Sequence, residues 1–231
     1  MKPGKKILTA LAIAGISAAA LFKCEMPERQ KLNSQQVHNN LVKTLTIDEG
    51  KRDWVYDDAT GKRLYPGDRA IGNRTIGVGL NLQGNPLARK LIEESGADFK
   101  KIYNGETNLT ENQIAYTLDQ NIYNAIRDAQ KFVSKKDYEE LDSRAQEVLV
   151  NMSFCMGYKG LKSFKKYKQA LIDEDYDWAA VEIEDSDFYR GPHHNRAERL
   201  VEKIGSINNA GLELRPWVKN LSKDIKYRVK N

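Results

Sequence analysis

Three short blocks near the start of this chain hold the side chains of an acid–base site. They are Ile47-Asp48-Glu49-Gly50, Asp53-Trp54-Val55-Tyr56-Asp57-Asp58 and Arg74-Thr75-Ile76-Gly77-Val78-Gly79. Two carboxyls on opposite sides of a sugar, one kept as an acid and one ionised, are the minimal machinery for cutting a glycosidic bond. Glu49 and Asp58 are the candidate pair. Val37, Leu41 and Leu45 recur every four residues, which predicts a helix ending at Glu49. Gly50 follows where a left-handed cap is usual. Trp54 and Tyr56 alternate with Asp53, Val55 and Asp57, the pattern of a half-exposed strand. A helix end followed by a strand can point Glu49 and Asp58 into one cleft. The same pairs also serve as ordinary caps and turns at a helix-to-strand joint.

The elements that must hold these residues follow from periodicity. Residues 37–50 read as a helix, residues 53–82 as a small sheet, and residues 86–104 as polar helix. Thr110-Glu111-Asn112-Gln113 is a capping box. Behind it Ile114, Leu118, Ile122, Ala125, Ile126 and Ala129 keep a helical period, the natural connector between two lobes. Residues 142–156 form the most apolar helix, ending at Gly157, and helices near 163–173, 177–184 and 195–205 follow. His38, His193 and His194 show no metal-ligand spacing. Gly77 and Gly79 lie in a strand pattern rather than in a phosphate-binding loop, and no internal repeat is evident.

Composition narrows the function classes. A chain of 231 residues, 40% hydrophobic and 30% charged, can bury a sizeable core. Four of its +5 charges are Lys2, Lys5, Lys6 and Lys23, and residues 1–24 contain no acid, leaving about +1 for the rest. That balance argues against a nucleic-acid partner. Basic charge is local: Lys159, Lys162, Lys165, Lys166 and Lys168 form one cluster, and Lys219, Lys223, Lys226, Arg228 and Lys230 another. Solvated faces are the simplest reading, attraction to an anionic wall polymer the functional one.

Ile7 to Phe22 is an uncharged, Ala-rich run of sixteen residues behind a basic start. It is short and weakly apolar for a permanent span. Two expectations stand: a cleaved export signal with small residues at Ala18–Ala20, or a segment resembling the signal-anchor-release regions of some phage endolysins. The second is favoured, with residues 7–22 contacting the host membrane and the enzyme tethered to the inner membrane before release to the periplasm. Residues 25–36 read as a polar linker. Cys24 and Cys155 are the two cysteines. Cys155 reads as a small buried hydrophobe, and pairing with Cys24 stays open.

Further blocks continue the pattern: Leu149 to Gly157, Trp178-Ala179-Ala180-Val181, and Phe188-Tyr189 leading to Asn195-Arg196-Ala197. Together with the Glu49 and Thr75–Gly79 blocks, their order and spacing resemble the T-even phage-type lysozymes, glycoside hydrolase family 24, over roughly residues 37–220. The resemblance implies an α+β, mostly helical, two-lobed lysozyme-like fold. Its parts would be an N-terminal lobe with a small β-sheet (about 37–108), a connecting helix (about 110–131) and a helical C-terminal lobe (about 132–231). It also implies a monomeric, cofactor-independent muramidase that cuts the β-1,4 bond between N-acetylmuramic acid and N-acetylglucosamine in peptidoglycan, lysing the host cell.

Residue roles carry over the same way. Glu49 matches the general acid, Asp58 the second carboxylate and Thr75 the threonine that helps hold a water. Arg196, within Asn195-Arg196-Ala197, matches the arginine that reaches the acid across the cleft, with Asn195 as supporting residue. Inversion is implied, with carboxyls about 6.5–9.5 Å apart. Two departures stand out. Sixteen residues separate Asp58 from Thr75, far more than the family norm, which predicts a longer hairpin at the cleft rim and keeps Asp57 and Asp68 as alternatives. Leu80 follows Gly79 where well-known relatives have histidine. A lytic transglycosylase, a chitin-cleaving enzyme and a non-catalytic wall-binding or phage structural module remain the competing expectations.

Overall fold

The computed structural model describes residues 31–208. The apolar N-terminal run, Cys24 and the basic cluster from Lys219 onward lie outside those residues. The described chain is mostly helical, with one three-stranded antiparallel sheet in the order β1-β2-β3. The α+β, mostly helical expectation is therefore met.

Helix α1 (Ser34–Glu49) begins earlier than its apolar period implies. Asn33 accepts the Gln36 N–H and the Gln36 side chain accepts the Asn33 N–H, a capping box that turns the end of the expected linker into helix. Gly50 ends the helix at φ 72° and ψ 166°, a positive φ that favours glycine. Val37, Leu41 and Leu45 are buried, and α1 packs on α4 (Glu111–Val133) and α6 (Ser143–Leu161). It thus packs with the helical side of the molecule.

The sheet comprises β1 (Arg52–Asp57), β2 (Arg74–Gly77) and β3 (Leu80–Asn81). Tyr56 pairs with Thr75 and Thr75 with Asn81, so Thr75 sits on the central strand. Leu80 is buried in the core. Residues expected as one polar helical stretch form α2 (Ala88–Glu94) and α3 (Phe99–Tyr103).

Helix α4 is started by the predicted Thr110–Gln113 capping box. It touches β2 and α2 at one end and α5 (Lys135–Glu140), α6 and α7 (Lys165–Ile172) at the other. Helix α6 buries Val148, Leu149, Val150 and Met152. Gly157, at φ 66° and ψ 174°, breaks the helix where its end was expected, and a further turn follows. Helices α8 (Tyr176–Glu184), α9 (Asp187–Arg190) and α10 (His194–Gly205) complete the chain. Helix α10 packs on α8 and α6 through Ala197, Leu200 and Ile204. Among the described residues no helix is long and apolar enough to cross a membrane, and no cluster of metal-ligating side chains occurs.

Candidate active site

The α1 terminus delivers Glu49 to the surface of the helical side, with its side chain 24% exposed. Helix α10 brings Arg196 against it: Nη2 donates to Glu49 Oε1 at 2.5 Å. Arg196 is itself buried. Burial alone would pull its pKa down, but Glu49, Cys155 and Asp48 around it hold the guanidinium above its ordinary range. The cation is thus permanent, and it fixes one oxygen of Glu49.

The other oxygen faces the β2–β3 turn. A Cβ built on Gly79 would lie 2.7 Å from Glu49 Oε2 and 2.8 Å from its Cδ. Gly79 also has φ +67°, a conformation that L side chains rarely adopt. Only glycine lets the chain pass this close to the carboxyl.

Asp48 is the residue that sequence reasoning missed. Its side chain is 1% exposed, and it stands 3.4 Å from Arg196 Nε while pairing with Arg199. Asn151 Nδ2 donates to its second oxygen at 2.9 Å. One buried carboxylate therefore ties α1 to α6 and to α10, and orients the guanidinium that holds Glu49. The pattern extends along α10, where Lys203 pairs with buried Glu147 of α6. Glu147 also accepts from Asn40 of α1 at 2.7 Å. The signal available in sequence was the spacing 196, 199, 203, cationic positions threaded among the apolar 197, 200 and 204.

On the sheet side, the adjacent aspartates divide the labour. Asp57 is buried and accepts the N–H groups of Ile71 and Gly72, both at 2.9 Å, and of Ala59 at 3.0 Å. These backbone bonds, the Ile71 one foremost, hold its carboxyl below the usual range. It closes the long loop. Asp68 accepts the Tyr65 N–H at 2.8 Å and caps a turn within that loop. Asp58, by contrast, is exposed, and Asn73 orients it through its N–H (2.7 Å) and side-chain amide (3.0 Å).

Tyr56 lies on β1, the strand that ends at Asp57. Its ring is buried on β1 under the Arg52 guanidinium, 4.1 Å from the ring centroid. Burial raises the phenol's pKa, the Arg52 guanidinium opposes that, and the negative charges of Glu49 and Asp58 add smaller rises. The phenol thus lies within the field of both groups. Thr75, its cross-strand neighbour, is 4% exposed, and its hydroxyl has no hydrogen-bond partner among the described residues.

Two further groups border Glu49 and Arg196. Cys155 of α6 is a partly buried free thiol packed against the core. Burial pushes its pKa up while Arg196 opposes that. His193 stacks on Phe188 at 5.8 Å, and desolvation, reinforced by Arg196, lowers its pKa. Asn195 is exposed in the first turn of α10 and makes no hydrogen bond to another described residue that would support Glu49. The arrangement offers one fixed carboxyl, one exposed carboxylate and one buried unpartnered hydroxyl, which suits proton donation and water-assisted displacement. No family model matches the sequence.

Proposed function

We propose that this chain is a muramidase, hydrolysing the β-1,4 bond between N-acetylmuramic acid and N-acetylglucosamine in bacterial peptidoglycan. The observation that carries the reading is the fixed Glu49 carboxyl, bonded through one oxygen to buried Arg196 and passed closely by Gly79 of the β2–β3 turn. Arg196 occupies Oε1, so Oε2 is the oxygen that carries and delivers the proton to the leaving sugar. Asp58 steers water, or stabilises the positive charge that develops at the anomeric carbon. The Thr75 hydroxyl, free to donate and accept, holds that water. The biological setting would be an endolysin that reaches the wall by export through its N-terminal segment and lyses the cell.

A lytic transglycosylase is the second reading. It is favoured by one observation: Asn73 engages both oxygens of Asp58, as expected of a loop cap rather than a catalyst. Glu49→Gln and Asp58→Asn variants separate the two. A muramidase loses reducing-end release from purified peptidoglycan in both, whereas full activity without Asp58 rejects the two-carboxylate mechanism.

A further inference from the structure

One buried acid has no place in the mechanism: Glu147 of α6, whose side chain is 4% exposed. Its carboxylate pairs with Lys203 of α10 and accepts from Asn40 Nδ2 of α1 at 2.7 Å. Further along α6, Asn151 donates to Asp48 of α1 at 2.9 Å, and Asp48 pairs with Arg199 of α10. The three helices are therefore tied twice, by two polar layers of the same make-up: one carboxylate, one amide and one α10 cation. The layers differ in which helix brings which group. Near Glu49 the acid comes from α1 and the amide from α6; in the second layer the acid comes from α6 and the amide from α1.

Spacing gives the pair of layers its meaning. Asn151 follows Glu147 by four residues on α6, and Lys203 follows Arg199 by four on α10, about one helical turn in each case. A single layer would tolerate a one-turn slip of α10, about 5.4 Å, because Lys203 could replace Arg199 opposite Asp48. Two layers forbid it. That slip brings Ile207 to Glu147, and the opposite slip brings Asn195 to Asp48, so either leaves a buried carboxylate without its cation. Helix α6 serves both partners, since α1 packs on α4 and α6, and α10 on α8 and α6. The reach of Arg196 to Glu49 thus depends on how both helices seat on α6.

We infer that Glu147, with Asn40 and Lys203, is a positioning joint for the reaction: it locks the register of α10 against α1 and so holds Arg196 on the Glu49 carboxyl. The catalytic consequence rests on the muramidase reading; the lock itself does not. Removing either charge alone strands the other, whereas a neutral layer keeps the packing and loses the discrimination between registers.

The test compares the full chain with two variants. Glu147→Gln/Lys203→Met removes both charges and leaves an amide for Asn40; Asn40→Ala loosens the layer from the α1 side. Glycan hydrolysis is followed beside thermal melts. Alkylation of Cys155, resolved from Cys24 by peptide mapping, reports on Arg196 independently of turnover, because the thiol lies against that guanidinium. The double variant should keep its KM, and its Tm within roughly 5 °C of wild type. Its kcat should fall about tenfold, and Cys155 should alkylate about threefold more slowly. Asn40→Ala should move both rates the same way, more weakly. A purely structural layer would lower Tm and leave kcat and the alkylation rate unchanged well below the melt, and that result overturns the joint. Faster alkylation overturns it too, since it marks loosened packing rather than a displaced arginine. If even the wild type leaves the glycan uncut but Cys155 slows as expected in the variants, the joint stands and the muramidase reading fails.

Discussion

Asp48→Asn is the substitution whose consequences the geometry fixes most fully. Asparagine keeps the shape and can still meet Asn151, but it removes the charge that Arg196 and Arg199 face. Deleting one partner of a buried ion pair costs about 3–5 kcal/mol when the other is left stranded. Two facts reduce that figure here. Arg196 keeps Glu49 as a partner, and Arg199 is 51% exposed, so water screens its share. A loss of about 2–3 kcal/mol is therefore expected, which for a domain of this size lowers Tm by roughly 4–12 °C. Activity should suffer separately, because Arg196 loses the anchor that sets its angle to Glu49. A kcat lowered about tenfold or more with KM nearly constant is expected, since small misplacements of a catalytic group are costly. Urea unfolding and steady-state kinetics give both numbers, with Arg199→Gln as the control that should cost under about 1 kcal/mol. Stability within about 0.5 kcal/mol of wild type, or an unchanged kcat, would refute the positioning role of Asp48.

Three further outcomes are expected. Thr75→Val removes a buried hydroxyl that has no protein partner, so stability should hold or rise by about 1 kcal/mol while glycan hydrolysis falls; retained hydrolysis would remove Thr75 from the mechanism. Gly79→Ala forces a side chain at φ +67° against the Glu49 carboxyl, costing about 1 kcal/mol in stability and far more in turnover, which thermal melts beside rate assays will separate. Asp57 titrates below its ordinary 3.8 in the folded state, so its contribution is complete above that pH and is lost as pH falls through the depressed folded value. Asp57→Asn should thus be less stable at neutral pH and show a shallower loss of stability on acidification, read by urea midpoints across the acid range.

Much of the fold was legible because its signals are local. The Thr110–Gln113 box, the four-residue period ending at Glu49 and the apolar run through Met152 each announce an element within a few residues. Helix α5 was not legible, since Lys135–Glu140 is short and polar with only Tyr138 buried. The start of α1 was missed for a different reason: Asn33 and Gln36 read as linker polarity although they cap each other. Within the site, Glu49 and Arg196 lie 147 residues apart, so no spacing rule joins them, and only the family resemblance suggested the contact. Asp48 stayed hidden because its partners Asn151 and Arg199 come from two distant helices. The choice between Asp57 and Asp58 was open because strand alternation puts neighbours on opposite faces without saying which is inward. The bonds from Ile71 and Gly72 show which of the two is buried, and they depend on a loop whose path sequence did not specify.

The central claim, water-dependent cleavage of the wall glycan by a fixed acid and a second carboxylate, is tested most directly by digesting purified peptidoglycan in heavy-oxygen water and weighing the fragments. The account predicts one heavy oxygen at each new reducing end, on N-acetylmuramic acid, and no such product from Glu49→Gln. Anhydro-muramic ends without heavy oxygen would contradict it and assign the chain to transglycosylation.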